Sequence, residues 1–166
     1  MRPWALSLPR FTSDRSWAFD VPRKELWGRV TATGDYPTWW PWLAEFESGE
    51  GFRRGASWTC TVEPPLPYRV RFSLLLEEVR DAELVRARVG GDIRGEAKLD
   101  IEDYGSGCVA RLRSDLMPAN ALLRGVAFAA YPLVLWGHDW VLDSGQRQFV
   151  QRVFPGSACP PEAPAP

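Results

Sequence analysis

His138 is the only histidine among 166 residues, and it stands in an otherwise apolar run, YPLVLWGHDWVLDSG, from Tyr131 to Gly145. An imidazole with an unperturbed pKa near 6.5 can take or give a proton at neutral pH, which makes His138 the candidate acid or base. The alternative is a histidine that borders a pocket or bonds a tryptophan or backbone carbonyl and so holds its helix in place. Asp139 and Asp143 are close in sequence but more than a quarter turn away on a helix, so neither is expected to partner the ring. The cluster Trp39, Trp40 and Trp42 offers flat, rigid contact area for a ligand, or a plug between neighbouring elements. Arg94, Arg111 and Arg113 are cations on or near strands, and alternation sends Arg111 and Arg113 to a wet face. Ser114 is the one polar residue among inward positions of its strand, placed either to orient a ligand or to satisfy a backbone group.

Other chemistries lack their residues. Cys60, Cys108 and Cys159 are far apart and have no metal-ligand spacing with His138, so no metal and no cofactor is expected. The run GSGCVA, Gly105 to Ala110, fits a dinucleotide pattern but lies between two strands with no helix behind it, and so reads as a hairpin turn. Neither a Gly-x-Ser-x-Gly elbow, a Walker loop nor a His-Glu-x-x-His pair is present.

The elements that must position these residues follow from periodicity. RSWAFDV, from Arg15, reads as a strand with Trp17 and Phe19 on one face; a proline-led helix follows with Leu26, Trp27 and Val30 at helical spacing. Pro37 and Pro41 allow the next helix barely one turn. Phe46 opens a possible strand, and period two then takes over. Trp58, Cys60 and Val62 share one side, as do Tyr68, Val70, Phe72, Leu74 and Leu76. Val85, Ala87 and Val89 repeat the pattern, then Ala97, Leu99 and Ile101, then Ala110, Leu112, Ser114 and Leu116. These are about six hairpin-connected strands with one dry face. A single helix from about Asn120 to Val153, roughly 50 Å long and kinked at Pro132, closes the pattern. On it Phe128, Tyr131, Leu135, His138, Leu142 and Phe149 fall within about a quarter of the circumference.

A curved sheet with one dry face must cover it, and the terminal helix alone is long enough. The space left between them is the expected cavity. Its expected lining is Trp39, Trp40, Trp58, Phe72, Leu74, Leu99, Leu112, Ser114, Phe128, Tyr131, Leu135, His138 and Leu142.

The order of elements, with DVPRKELWGRVTATGDYPTWWPWL, GDIRGEAKLDIEDYGSGCVARLRSDL and LWGHDWVLDSGQRQF, resembles the SRPBCC (START/Bet v 1-like) superfamily, closest to its bacterial polyketide cyclase/dehydrase-like branch. The resemblance rests on the proline-led first helix and Tyr36-Pro37-x-Trp39-Trp40. It rests also on the Gly91-Asp92-x-x-Gly95 link with the Gly105-x-Gly107 turn, and on Trp136-x-His138-x-x-Val141-x-x-x-Gly145. It implies an α+β helix-grip fold, a curved antiparallel sheet around a long C-terminal helix with two short helices after the first strand. It also implies a hydrophobic pocket, but no shared catalytic set.

One domain is expected over residues 13–154, between an N-terminal extension (1–12) and a disordered Pro/Ala-rich tail (155–166). Twenty basic against twenty-one acidic residues, dispersed, argue against a nucleic-acid partner. The interrupted apolar runs argue against a signal peptide or membrane insertion. A cytoplasmic monomer or homodimer is expected, binding an apolar small molecule such as a lipid or polyketide. The alternative is a cyclase, aromatase or dehydratase with His138 as acid or base.

Overall fold

The computed structural model describes residues 9–154. The proline-rich tail, Cys159 included, and the first eight residues of the expected extension lie outside the described residues. Strand β1 (Phe11–Phe19) leads to α1 (Arg23–Val30), a 3-10 turn (Thr33–Asp35) and the one-turn α2 (Tyr36–Trp39). Six strands follow: β2 (Leu43–Glu47), β3 (Ser57–Val62), β4 (Val70–Arg80), β5 (Leu84–Gly91), β6 (Ile93–Tyr104) and β7 (Gly107–Pro118). Two helices close the chain, α3 (Ala121–Ala129) and α4 (Tyr131–Val153). The strands form one antiparallel sheet in the order β1-β7-β6-β5-β4-β3-β2. β1 begins four residues before the alternation from Arg15 marks it.

Register carries the inward positions across the sheet. Trp58, Cys60 and Val62 face Leu74, Phe72 and Val70; Leu74 and Leu76 face Val89 and Ala87. Val85 faces Leu99, and Leu99, Ile101 and Ala97 face Leu112, Ala110 and Ser114. These positions therefore form one continuous concave face, as period two requires.

Two glycines let the sheet curl. At Gly95 φ is +147°, and a Cβ there would lie 1.9 Å from the Asp115 carbonyl oxygen; at Gly107 it would lie 2.0 Å from that of Phe19. Only glycine allows these backbone approaches inside a strand. Asp92 fastens the same corner. Its carboxylate accepts from the Arg71 backbone N–H (2.9 Å) and from Asn120 Nδ2 (2.8 Å), while Asn120 Oδ1 caps α3 by accepting from Leu123 N–H (2.6 Å).

The single terminal helix is corrected to two. The chain breaks at Ala130 (φ −137°, ψ 44°), and Pro132 sits in the first turn of α4 instead of inside a kinked helix. Proline has no N–H to donate and disfavours helical geometry in the residue before it, so it starts a helix more readily than it bends one.

The main core lies under the C-terminal half of α4, where Phe149 and Val150 join Leu26, Tyr36, Trp39, Trp58 and Ile101. A smaller cluster of Phe11, Ala127 and Val134, with Val126 and Leu135 against it, holds the N-terminal half.

Candidate functional site

The concave face is incompletely filled. Phe72, Leu74, Leu99 and Leu112 point inward, yet each is only partly buried, because two cavities lie between the sheet and α4. The first, of about 250 Å³, lies among β1, β6, β7, the short helices and the C-terminal half of α4, with Trp17, Phe19, Tyr36, Trp39, Trp40, Trp42 and Phe149 in its wall. The second, of about 240 Å³, lies under the N-terminal half of α4, with Phe11, Tyr68, Phe72, Leu74, Ser114, Leu123, Gly137 and His138 in its wall. Leu112, Val141 and Leu142 border both and form the partition. No Asp, Glu, Lys or Arg belongs to either wall.

Local sequence explains how α4 is seated over this hollow. At Gly145 the indoles meet the helix backbone: Trp40 Nε1 donates to the Gly145 carbonyl at 2.9 Å, and a Cβ on Gly145 would meet the Trp42 ring at 3.4 Å, an ordinary contact. Trp42 Nε1 donates to Gln148 Oε1 at 2.9 Å. Nearer the helix start, Gly137 admits the loop between β3 and β4. A Cβ there would lie 2.7 Å from the Tyr68 hydroxyl and 2.8 Å from Leu66 Cδ1. The two glycines of α4 thus mark where aromatic side chains abut its backbone, one per cavity.

His138 lines the second cavity with its side chain 18% exposed. Its Nδ1 is buried, makes no hydrogen bond, and lies 3.6 Å from Asp139 Oδ1, an ion-pair distance longer than a hydrogen bond. Desolvation pushes its pKa below the ordinary imidazole value and outweighs the opposite pull of Asp139, with Arg15 reinforcing the drop. The ring is therefore neutral at pH 7. Asp139 is in turn held by Arg15 of β1 (3.3 Å), which also pairs with Asp143. Asp139 thus comes near the ring without bonding it, while its carboxylate is paired with Arg15.

The expected site residues divide. Trp39, Trp40 and Leu99 line the first cavity, Phe72, Leu74, Ser114 and His138 the second, and Leu112 and Leu142 both. Trp58 is packed in the core, edge-on to Phe46 and Phe52, with its indole N–H donated to the Gly51 carbonyl. Phe128 and Tyr131 are 52% and 38% exposed, and Leu135 packs on the small cluster. The structure does not bring these four into the hollow, and for Phe128 the reason is the break at Ala130. A helical wheel drawn through that residue assigns the wrong phase to everything before it.

Arg15, which alternation alone does not single out, is paired with the carboxylate beside His138. It shares the inward face of β1 with Trp17 and Phe19, and its signal was an i,i+4 carboxylate pair, Asp139 and Asp143, requiring a cation. Ser114 Oγ bonds Ser13 Oγ at 2.6 Å across the β1–β7 pair. Arg111 and Arg113 sit on the outer face, paired with Asp14 and Asp100, and Arg94 lines only a shallow outer depression. Burial raises the Cys60 thiol to about 12 and the Cys108 thiol above its usual range. Among the described residues no group of three or more His, Cys, Asp or Glu is placed to hold a metal, and no helix is long and apolar enough to cross a membrane.

No protein-family model matches the sequence and no curated protein does. Solved structures match over most of its length. Norcoclaurine synthase from Thalictrum flavum, solved with dopamine and hydroxybenzaldehyde, superposes with a TM-score of 0.61 at 11% identity over 92% of this chain and 91% of that one. A protein of Thermus thermophilus gives 0.66 at 14% over 90% and 100%. The Bet v 1 allergen Ara h 8.0201 gives 0.52 at 14% over 81% and 99%. The fold is the Bet v 1-like helix grip.

Proposed function

We propose that the protein binds an apolar or aromatic small molecule, lipid-like or polyketide-like, in the hollow between the sheet and α4. One observation carries this reading: two cavities without a charged residue in their walls share Leu112, Val141 and Leu142 as common lining. Each alone is small for a ligand site, and together they reach the roughly 300–1,000 Å³ usual for one. The fold neighbour holding two small aromatic molecules supports the same reading by analogy. A thermal-shift and native mass-spectrometry screen against fatty acids, sterols, flavonoids and polyketides tests it. A 1:1 complex and a raised Tm with at least one class are expected; no complex and no shift with any of them would defeat it.

A second reading is favoured by the seat of His138. A neutral imidazole beside a carboxylate that Arg15 anchors is suited to proton transfer in a cyclase, aromatase or dehydratase reaction on a polyketide. His138→Ala then lowers turnover of a polyketide substrate by at least about a hundredfold while changing affinity far less. Turnover surviving that substitution would remove this reading and leave the first intact.

A further inference from the structure

The polar side chains of the aromatic chamber are engaged within the protein. In the aromatic chamber the Tyr36 hydroxyl is donated to the Val30 carbonyl, the Trp40 and Trp42 indole N–H groups are donated to Gly145 and Gln148, and Gln146 is not free. In the chamber under the N-terminal half of α4, the wall holds the Tyr68 hydroxyl, His138 and Ser114, whose Oγ is bonded to Ser13 Oγ.

Charge narrows the ligand further. Neither wall holds a charged side chain. Arg15, the cation beside the His138–Asp139 pair, is engaged by Asp139 and Asp143. A carboxylate or ammonium on the ligand would lose its hydration without gaining a partner, which costs far more than burying a neutral group. The tautomer of His138 sets the rest. The Asp139 carboxylate 3.6 Å from Nδ1 favours the proton on that nitrogen and leaves Nε2 as an acceptor. That acceptor, beside the Tyr68 and Ser114 hydroxyls, is matched by a ligand group that can both donate and accept, as a hydroxyl does.

We propose that the ligand is an elongated, uncharged molecule bearing one hydroxyl at its end. The hydroxyl donates to His138 Nε2 in the N-terminal chamber, and the apolar remainder passes between Leu112 and Leu142 into the aromatic chamber. This inference rests on the binding reading above and assigns the ligand's polarity and direction within the same hollow.

The test uses the full chain and simple probes: primary alcohols from hexan-1-ol to decan-1-ol, their isomeric alkyl methyl ethers, and alkanoates of equal length, titrated by calorimetry at pH 8. Affinity for the alcohols is expected to rise about fourfold per methylene along the series. Each alcohol is expected to bind about tenfold tighter than its isomeric ether, the worth of one hydrogen bond, and tighter still than the alkanoate. His138→Phe removes the alcohol-over-ether preference and His138→Gln, which retains an acceptor, keeps it. Leu142→Trp stops the gain with chain length while leaving the preference in place. Val141→Phe serves the same purpose if Leu142→Trp does not fold. Ethers or alkanoates equal to the alcohols, or a chain-length gain unaffected by either partition variant, would overturn the inference while leaving apolar binding standing. Absence of binding by every probe and every apolar class would instead bring down the binding reading beneath it.

Discussion

The two halves of α4 are held in different ways. The C-terminal half is locked: Gly145 accepts from Trp40, Gln148 accepts from Trp42, and Phe149 packs edge-on against both Phe19 and Trp39. The N-terminal half rests on the small cluster of Phe11, Ala127 and Val134, while Leu133 and Trp136 are about half exposed. Yet the two cavities beneath them are nearly equal in volume. Equal empty space under unequal packing teaches that the hollow is not a defect of a loose end. It is a property of the curled sheet, present even where the helix is best fixed.

The sharpest way to break this contrast is to remove one anchor from each half. Phe149→Ala is expected to lower the unfolding free energy by about 3–5 kcal/mol, the usual cost of deleting a buried aromatic ring. Leu123→Ala, under the other half, is expected to cost only about 2 kcal/mol, at the low end for its type, because Phe149 belongs to the main core while Leu123 belongs to neither packed cluster. Denaturant unfolding of both variants checks the order. Equal losses would mean that the two halves are one cooperative core.

The glycines of α4 sharpen the contrast at smaller scale. Gly145→Ala is expected to stabilise by up to about 1 kcal/mol, since alanine favours the helix and the new Cβ meets the Trp42 ring at 3.4 Å. In Gly137→Ala the same helical gain is offset by displacement of Tyr68 and Leu66, whose atoms would stand 2.7 and 2.8 Å from the Cβ. Thermal melts of the two variants are expected to separate, Gly145→Ala above the parent and Gly137→Ala close to it.

Much of this arrangement was legible in the sequence because period two is insensitive to tertiary context once one face is dry. Trp58, Phe72, Leu74, Leu99 and Leu112 were all assigned to the correct face. What alternation cannot tell is whether an inward side chain fills the core or borders a void. That depends on distance to the opposing element, and it is why Trp58 fell in the core while Trp39 reached the cavity. The helix failed differently. Its phase was carried through Ala130, although Pro132 signalled a start as readily as a kink, so Phe128 was placed inside. Arg15 stands where the legible alternation begins, four residues inside β1, and a lone arginine at a strand start reads as surface. The Gly91-Asp92-x-x-Gly95 pattern was legible as a motif, and the clamp of Asp92 on Arg71 and Asn120 supplies its physical reason.

The smallest expected effect is confined to the N-terminal half. The folded protein keeps His138 neutral, with its pKa below the unfolded value near 6.5. Above pH 6.5 both states carry a neutral ring and this group contributes no slope. Below it the unfolded chain takes up a proton first, so stability falls with pH until the folded pKa is reached. Asp14, held below 3.8 by Arg111, and Asp100, held below it, against the opposing effect of burial, by Lys98 and Arg113, lose their contribution only in a more acidic window. Chemical denaturation between pH 7.5 and pH 5 is expected to show this slope in the parent and to lack it in His138→Phe; identical profiles would contradict the buried neutral ring.

Crystals held under xenon pressure test the central claim most directly, since dry apolar cavities take up xenon. Xenon density is expected in both chambers, on either side of Leu112 and Leu142. A concave face packed solid by its own side chains, with xenon in neither chamber, would contradict the account.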